Sequence, residues 1–166
     1  MTSLREMRFD DLFKFNSLVF DALTEVYSLT FFVEHLLEFP GLSQIAVAPG
    51  PEGRRMGYIF GKKENLSKKW GSQGHISALT VSAEYRRLGV ATALMNYFYK
   101  ALDLRGASCI NLFMRCTNLV AYHLYCSLGY VHQRTVLDYY PEPENAFEMR
   151  KYIRRPMEVQ APTAIR

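Results

Sequence analysis

Six consecutive residues, Arg86-Arg87-Leu88-Gly89-Val90-Ala91, stand between a strand-like alternating stretch and a helix-like one. A small-residue loop that opens a helix leaves several backbone N–H groups unpaired and aligned, backed by the positive end of the helix dipole. Phosphate or pyrophosphate binds at such a place. Gly89 and Ala91 permit close backbone approach, and Arg86 and Arg87 add fixed positive charge. The same residues equally suit an ordinary strand–helix turn with a surface arginine pair, and the loop alone does not choose between the two. Other phosphate loops fit poorly. No G-x-G-x-x-G occurs, and the run from Gly57 to Lys63 misses the Walker spacing and lacks a Ser or Thr after its lysine.

Just upstream, His75 and Ser77 lie two apart in a strand, so they share a face and offer polar groups to a carboxylate or an amide. A lone histidine is more often structural, and the pair does not define a site by itself. His35, His123 and His132 are scattered and no H-E-x-x-H occurs, so no metal is expected. The three cysteines, Cys109, Cys116 and Cys126, form no C-x-x-C pair and read as free thiols. Cys116 and Cys126 flank the segment holding Tyr125, but covalent cysteine catalysis lacks an identifiable activating base. A serine triad lacks its G-x-S-x-G elbow.

These residues need elements to position them. Asp10–Val19 opens with possible N-cap carboxylates and reads as a helix, and Phe31–Phe39 as a second, stopped by Pro40 and Gly41. Ser43–Ala48 and Arg54–Lys62 read as strands joined by a turn at Pro49–Gly53. Leu66–Gly74 is polar and reads as a loop, and His75–Val81 alternates as a strand should. From Leu88 to Leu104 the apolar positions fall on one helical face, with Gly106 as its stop. Ile110–Met114 reads as a buried strand, Thr117–Leu128 as a helix stopped by Gly129, and Tyr130–Tyr140 and Ala146–Ile153 as a closing strand pair. The class is α/β: a single domain with a mixed central sheet flanked by helices.

Composition agrees with one domain. The chain has 166 residues, 49% hydrophobic, 22% charged and 14% aromatic, which excludes a disordered chain. No apolar run reaches the ~18 residues of a membrane span. No signal peptide is visible, so the reading is intracellular. The net charge is +4. Lys62, Lys63, Lys68 and Lys69 carry much of the excess, as do Arg150, Lys151, Arg154 and Arg155. They read as solvated basic segments or as contacts for ribosomal RNA or another anionic partner.

The loop Arg86-x-x-Gly89-x-Ala91, set between an alternating strand and an amphipathic helix, resembles the pyrophosphate loop of the GNAT acetyltransferases. The second half of their signature follows, with Asn118 and then Y-x-x-x-G-[FY] matched by Tyr125, Gly129 and Tyr130. Asp10–Asn16, Leu23–Tyr27, Gly74–Leu79, Tyr85–Gly89, Arg134–Tyr140 and Ala146–Lys151 are similar to the catalytic subunits of NatB N-terminal acetyltransferases. The likeness spans residues 1–152 and departs at Ser17–Phe20, at Ala22, in the Pro49–Gly53 and Leu66–Gln73 loops and in the tail. It implies a GNAT-like domain over residues 1–154 and a flexible tail over 155–166.

The resemblance also implies roles. Acetyl-CoA is the cosubstrate, held by Leu79, Thr80, Val81, Arg86, Arg87, Leu88, Gly89, Val90, Ala91, Asn118 and Tyr125. The acetyl group passes directly to a peptide α-amine. That amine has a pKa of about 7.7–8.0, so a fair fraction is already nucleophilic near neutral pH. Tyr125 is the acid for the leaving thiolate, with Glu25 and His75 as further catalytic residues. A backbone N–H at the end of the strand, that of Val81, is placed to hold the developing oxyanion. Glu25, Tyr27, His75, Ser77, Tyr139 and Tyr140 are the substrate-binding residues. Accepted N-termini begin Met-Asp, Met-Glu, Met-Asn or Met-Gln. Neighbouring strand residues face opposite ways, so only one of Tyr139 and Tyr140 is expected to touch peptide.

A large helical auxiliary subunit is the implied partner, wrapped around the first two helices with their apolar Phe13, Phe15, Phe31 and Leu36. Ribosome association through that partner, a cytoplasmic location and no membrane contact follow from the same resemblance. Two other readings stay open: a GNAT enzyme for other N-termini or a small amine, and a non-catalytic acyl-CoA-binding subunit.

Overall fold

The computed structural model describes residues 2–14, 27–51, 53–67 and 71–153. Within them lie seven strands: β1 (Ser3–Glu6), β2 (Ser43–Val47), β3 (Arg55–Ser67), β4 (Gly71–Val81), β5 (Cys109–Arg115), β6 (Val131–Tyr140) and β7 (Glu144–Tyr152). The helices are α1 (Leu29–Glu38), α2 (Val90–Leu104) and α3 (Leu119–Ser127). The strands make one mixed sheet in the order β1-β2-β3-β4-β5-β7-β6. Only β4 and β5 pair in parallel, joined by the crossover through α2.

The alternating and helical patterns produce this arrangement directly. In α2, Val90, Leu94, Met95, Phe98, Ala101 and Leu102 are buried against one face of the sheet. Two glycines make room for them: a Cβ on Gly61 would lie 2.7 Å from Phe98, and one on Gly74 would lie 2.1 Å from Leu102. Leu88, expected on that helical face, instead precedes the helix and is 64% exposed. On the opposite face Phe32 of α1 packs with Met7, Ile45, Tyr58 and Phe60. The Ser28 hydroxyl caps α1 by accepting from Phe31 N–H.

One strand goes unread in the sequence, and two expectations need correction. The start of the chain forms β1, paired with β2 from Ser3 opposite Val47 to Glu6 opposite Gln44. Four residues at a sheet edge are too short for alternation to show. The reading of Asp10–Val19 as a helix gives way, in its described part, to a 3-10 turn at Phe9–Lys14. Asp11 there is fully buried between Arg5 and Arg55 and also accepts from Arg8 N–H. The polar loop expected at Leu66–Gly74 gives way, in its described part, to strand, because β3 runs to Ser67 and β4, paired antiparallel to it, begins at Gly71. Cross-strand pairing there overrides the turn-rich composition. Phe15, Glu25, Lys68, Lys69, Arg154, Arg155 and the tail lie outside the described residues.

Candidate active site

The parallel ladder between β4 and β5 runs from Gln73 opposite Cys109 to Ile76 opposite Leu112 and then stops. Just past that point β4 carries a bulge, where the partners of β3 jump from Ile76, opposite Gly61, to Ala78, opposite Phe60. A bulge bends its strand and leaves one residue out of register. Here β4 leans away from β5 and the sheet opens. A cavity of about 1160 Å³ fills the gap. Tyr27, Phe31 and His75 line it from the α1 side, and Val90, Ala121 and Tyr125 from the α2 and α3 side. A cavity lined from both faces of a sheet passes through it.

On the α2 side the residues from Arg86 to Gly89 form the rim. Arg87 (φ 65°) and Gly89 (φ 79°) are both left-handed, and Gly89 leads straight into α2. Left-handed residues alternating with ordinary ones turn successive N–H groups inward as an anion nest. Arg87 is not glycine, so this conformation costs on the order of 1 kcal/mol, a strain that clusters at functional sites. A Cβ on Gly89 would meet nothing within 4 Å, so the space before the loop is open. The nest, the open approach and the N-terminus of α2 suit the pyrophosphate of CoA. The Arg86 side chain is turned back to donate to Val81 C=O at 3.1 Å. Asn118 lines the cavity but also caps α3, its side chain accepting from Ala121 N–H at 3.1 Å.

Tyr125 stands in the cavity wall and is buried, and burial pushes its hydroxyl pKa up to about 12. Leu79, Thr80 and Val81 line the opened edge of β4, with the Thr80 side chain turned to Tyr58. Ser82 N–H donates to Met56 C=O on β3. Alternate peptide groups of a strand point to opposite edges, so the Val81 N–H faces the opened edge.

On the α1 side His75 and Ser77 share a face, as alternation requires. His75 Nδ1 lies 2.9 Å from Asn111 Oδ1. The Ser77 hydroxyl lies 3.1 Å from Nε2 of His35, whose Nδ1 is 3.0 Å from Phe31 C=O. Tyr27 donates to Ser77 C=O at 2.8 Å, and its ring stacks on Phe31. Tyr139 and Tyr140 depart from the expectation that adjacent residues diverge. A bulge between Val136 and Tyr140, with Asp138 at φ 49°, brings both rings to the cavity, 5.0 Å apart. Tyr139 stacks on Phe113, and Tyr140 packs under the Arg115 guanidinium.

Sequence reasoning missed His35, Asn111, Phe113, Arg115 and Glu148. Asn111 did leave a signal, since a polar residue inside the apolar run Cys109–Met114 demands a buried partner. Cys109 is buried in the core and burial pushes its thiol up, which suits packing and not nucleophilic work.

A sheet opened between two parallel strands, above an anion nest at a helix N-terminus, defines an acyltransferase fold. The model of the Acetyltransferase (GNAT) family matches residues 13–130, and the chain belongs to that family. Within it the chain is an N-terminal acetyltransferase of the NatB catalytic-subunit type. It is 40% identical to the N-terminal acetyltransferase B complex catalytic subunit NAA20 of Arabidopsis thaliana, over 95% of this chain and 89% of that one. The structure of Chaetomium thermophilum Naa20 in complex with a bisubstrate analogue matches with a TM-score of 0.84 at 34% identity, over 95% of this chain and 90% of that one. The NatB acetyltransferase complex bound to CoA and MES matches at 0.82 and 34%, over 90% of this chain and 98% of that one.

Proposed function

We propose that this chain transfers acetyl groups from acetyl-CoA to the α-amine of polypeptides beginning Met-Asp, Met-Glu, Met-Asn or Met-Gln, as the catalytic subunit of a NatB-type complex. The observation that carries it is the through-sheet cavity, which joins an anion nest on the α2 side to a polar and aromatic mouth on the α1 side. Acetyl-CoA supplies the activated thioester. The backbone from Arg86 to Val90 binds its phosphates, with Arg86, Arg87, Leu88, Ala91 and Asn118 around them. Peptide enters from the other side, between Tyr27 and the Tyr139–Tyr140 pair. The Val81 N–H stabilises the oxyanion, and the Tyr125 hydroxyl holds a proton for the departing sulfur.

His75 and Ser77 receive the second residue, and Glu25 relays the amine proton. An α-amine needs little help near neutral pH, so one base and one acid suffice. The domain spans residues 1–154, with 155–166 as a tail. Its auxiliary subunit covers the 3-10 turn and α1, where Phe13 and Leu37 are exposed, and the ribosome is met through that partner in the cytoplasm.

The chain, isolated from its own cells with whatever it binds, is given acetyl-CoA and peptides beginning Met-Asp, Met-Glu, Met-Asn, Met-Leu and Ser-Glu. Mass spectrometry is expected to find acetylation of the first three alone. Acetylation of Met-Leu or Ser-Glu in their place defeats the specificity reading, and silence across the panel defeats the catalytic one.

A further inference from the structure

Behind His75 lies a chain of hydrogen bonds that fixes where its protons sit. Glu148, on β7, is buried and bonded to the guanidinium groups of Arg134 at 2.6 Å and Arg150 at 2.7 Å. Burial pushes its carboxyl up, but the arginines and Asn111 outweigh burial and hold the pKa at about 2. An ionised carboxylate only accepts. The Asn111 side chain, 3.2 Å from Glu148 Oε1, must therefore donate through Nδ2, which turns its Oδ1 toward His75. An amide oxygen only accepts as well, so the His75 Nδ1 carries a proton. In a neutral imidazole the other nitrogen, Nε2, is then a bare acceptor, on a half-buried ring that lines the cavity.

We propose that Asn111 and Glu148 are positioning residues that lock His75 in its Nδ1–H form. His75 then takes an amide second residue when neutral and a carboxylate second residue when protonated. The inference rests on the reading that the second residue of the peptide reaches His75. An Asn or Gln side chain donates N–H to the bare Nε2, whereas an Asp or Glu carboxylate meets it lone pair to lone pair. Protonation at Nε2 reverses the preference.

Burial leads in lowering the His75 pKa. Lys62 of β3 acts in the same direction, while the bond to Asn111 and the charges of Glu64 and Glu148 oppose it. His35 of α1 feels the charge of His75, and burial leads in lowering its own pKa as well. The change of preference therefore falls on the acid side of the ordinary histidine range.

The test compares kcat/KM for two peptides that differ only in Met-Asn against Met-Asp, with the complex, from pH 8 to 5.5. The α-amine titrates alike in both and cancels in the ratio, and the Asp carboxylate stays ionised throughout. The Asn-to-Asp ratio is expected to fall about tenfold on acidification. A ratio that stays flat while both peptides are acetylated overturns the proposal and leaves the function intact. Acetylation of neither peptide, with other N-termini accepted, overturns the function itself. In Asn111→Leu the neutral ring is free to carry its proton on Nε2, so Met-Asp gains at pH 8 and the profile flattens. Should that variant fail to fold, the ring ¹⁵N shifts of His75 in the wild-type complex still decide. A neutral Nδ1–H pattern is expected, and an Nε2–H pattern overturns the lock.

Discussion

As the proposed acid, Tyr125 would serve packing and chemistry together. Its ring belongs to the core beneath α2, the residue lines the cavity, and burial raises its hydroxyl pKa to about 12. A phenol so reluctant to ionise stays protonated at every physiological pH, so it keeps a proton to offer, although burial makes it a weaker acid. Tyr125→Phe keeps the ring and removes only the hydroxyl that carries that proton. Steady-state kinetics should show kcat down about 100-fold with KM for acetyl-CoA nearly unchanged, and the melting temperature should scarcely move. An unchanged kcat would reduce the tyrosine to packing.

Among the elements, the bend in β4 decides the most. Ile76, Leu79 and Val81 all pack toward α2, while Ala78 packs toward α1. The three-residue step from Ile76 to Leu79 is the trace of the bulge in the sequence, where strict alternation would put Ala78 on the α2 face. Gly61 sits opposite this bend because nothing larger fits. A Cβ there would lie 2.2 Å from the His75 carbonyl oxygen. Backbone cannot swing aside as a side chain can, so Gly61→Ala should cost at least the 1–3 kcal/mol of an overpacked core, about 3 kcal/mol in urea unfolding. Activity should fall further than stability, because His75 moves with the strand. Full activity in Gly61→Ala would mean that the strand spacing at the bend is not critical.

The whole sheet is tied at both ends by buried carboxylates. Asp11 joins β1, the 3-10 turn and β3 through Arg5 and Arg55, and Glu148 joins β7 to β5 and β6. Burial raises both carboxyls, yet their arginine partners outweigh it, and each is held at about 2. Folded-state values below the ordinary 3.8 and 4.5 mean that the unfolded chain binds protons first as pH falls. The stability they contribute is complete above pH about 4.5 and is lost as pH falls toward about 2. Melting temperature followed from pH 6 to pH 2.5 should decline steeply below pH about 4.5. Asp11→Asn should flatten part of that decline and lower stability at pH 7, since two guanidinium groups lose their counter-charge. A profile unchanged in Asp11→Asn would place the acid sensitivity elsewhere.

At this same scale the sequence and the tertiary structure divide the work. The strand–loop–helix around Arg86–Ala91, the α2 stripe and the Tyr125 helix are set by local rules, since periodicity, small residues and caps act within a few turns. His75 and Ser77 sharing a face is likewise local. Three features depend on contacts distant in sequence. β1 forms only because β2 offers an edge, and Leu66, Ser67 and residues 71–74 become strand only because β3 and β4 pair to their ends. The proton position on His75 depends on Asn111 and Glu148, which lie 36 and 73 positions away in the chain and meet it only across β4, β5 and β7. Residue type at a position is written in the chain, but a hydrogen-bond direction is a property of partners, and partners are chosen when the sheet closes.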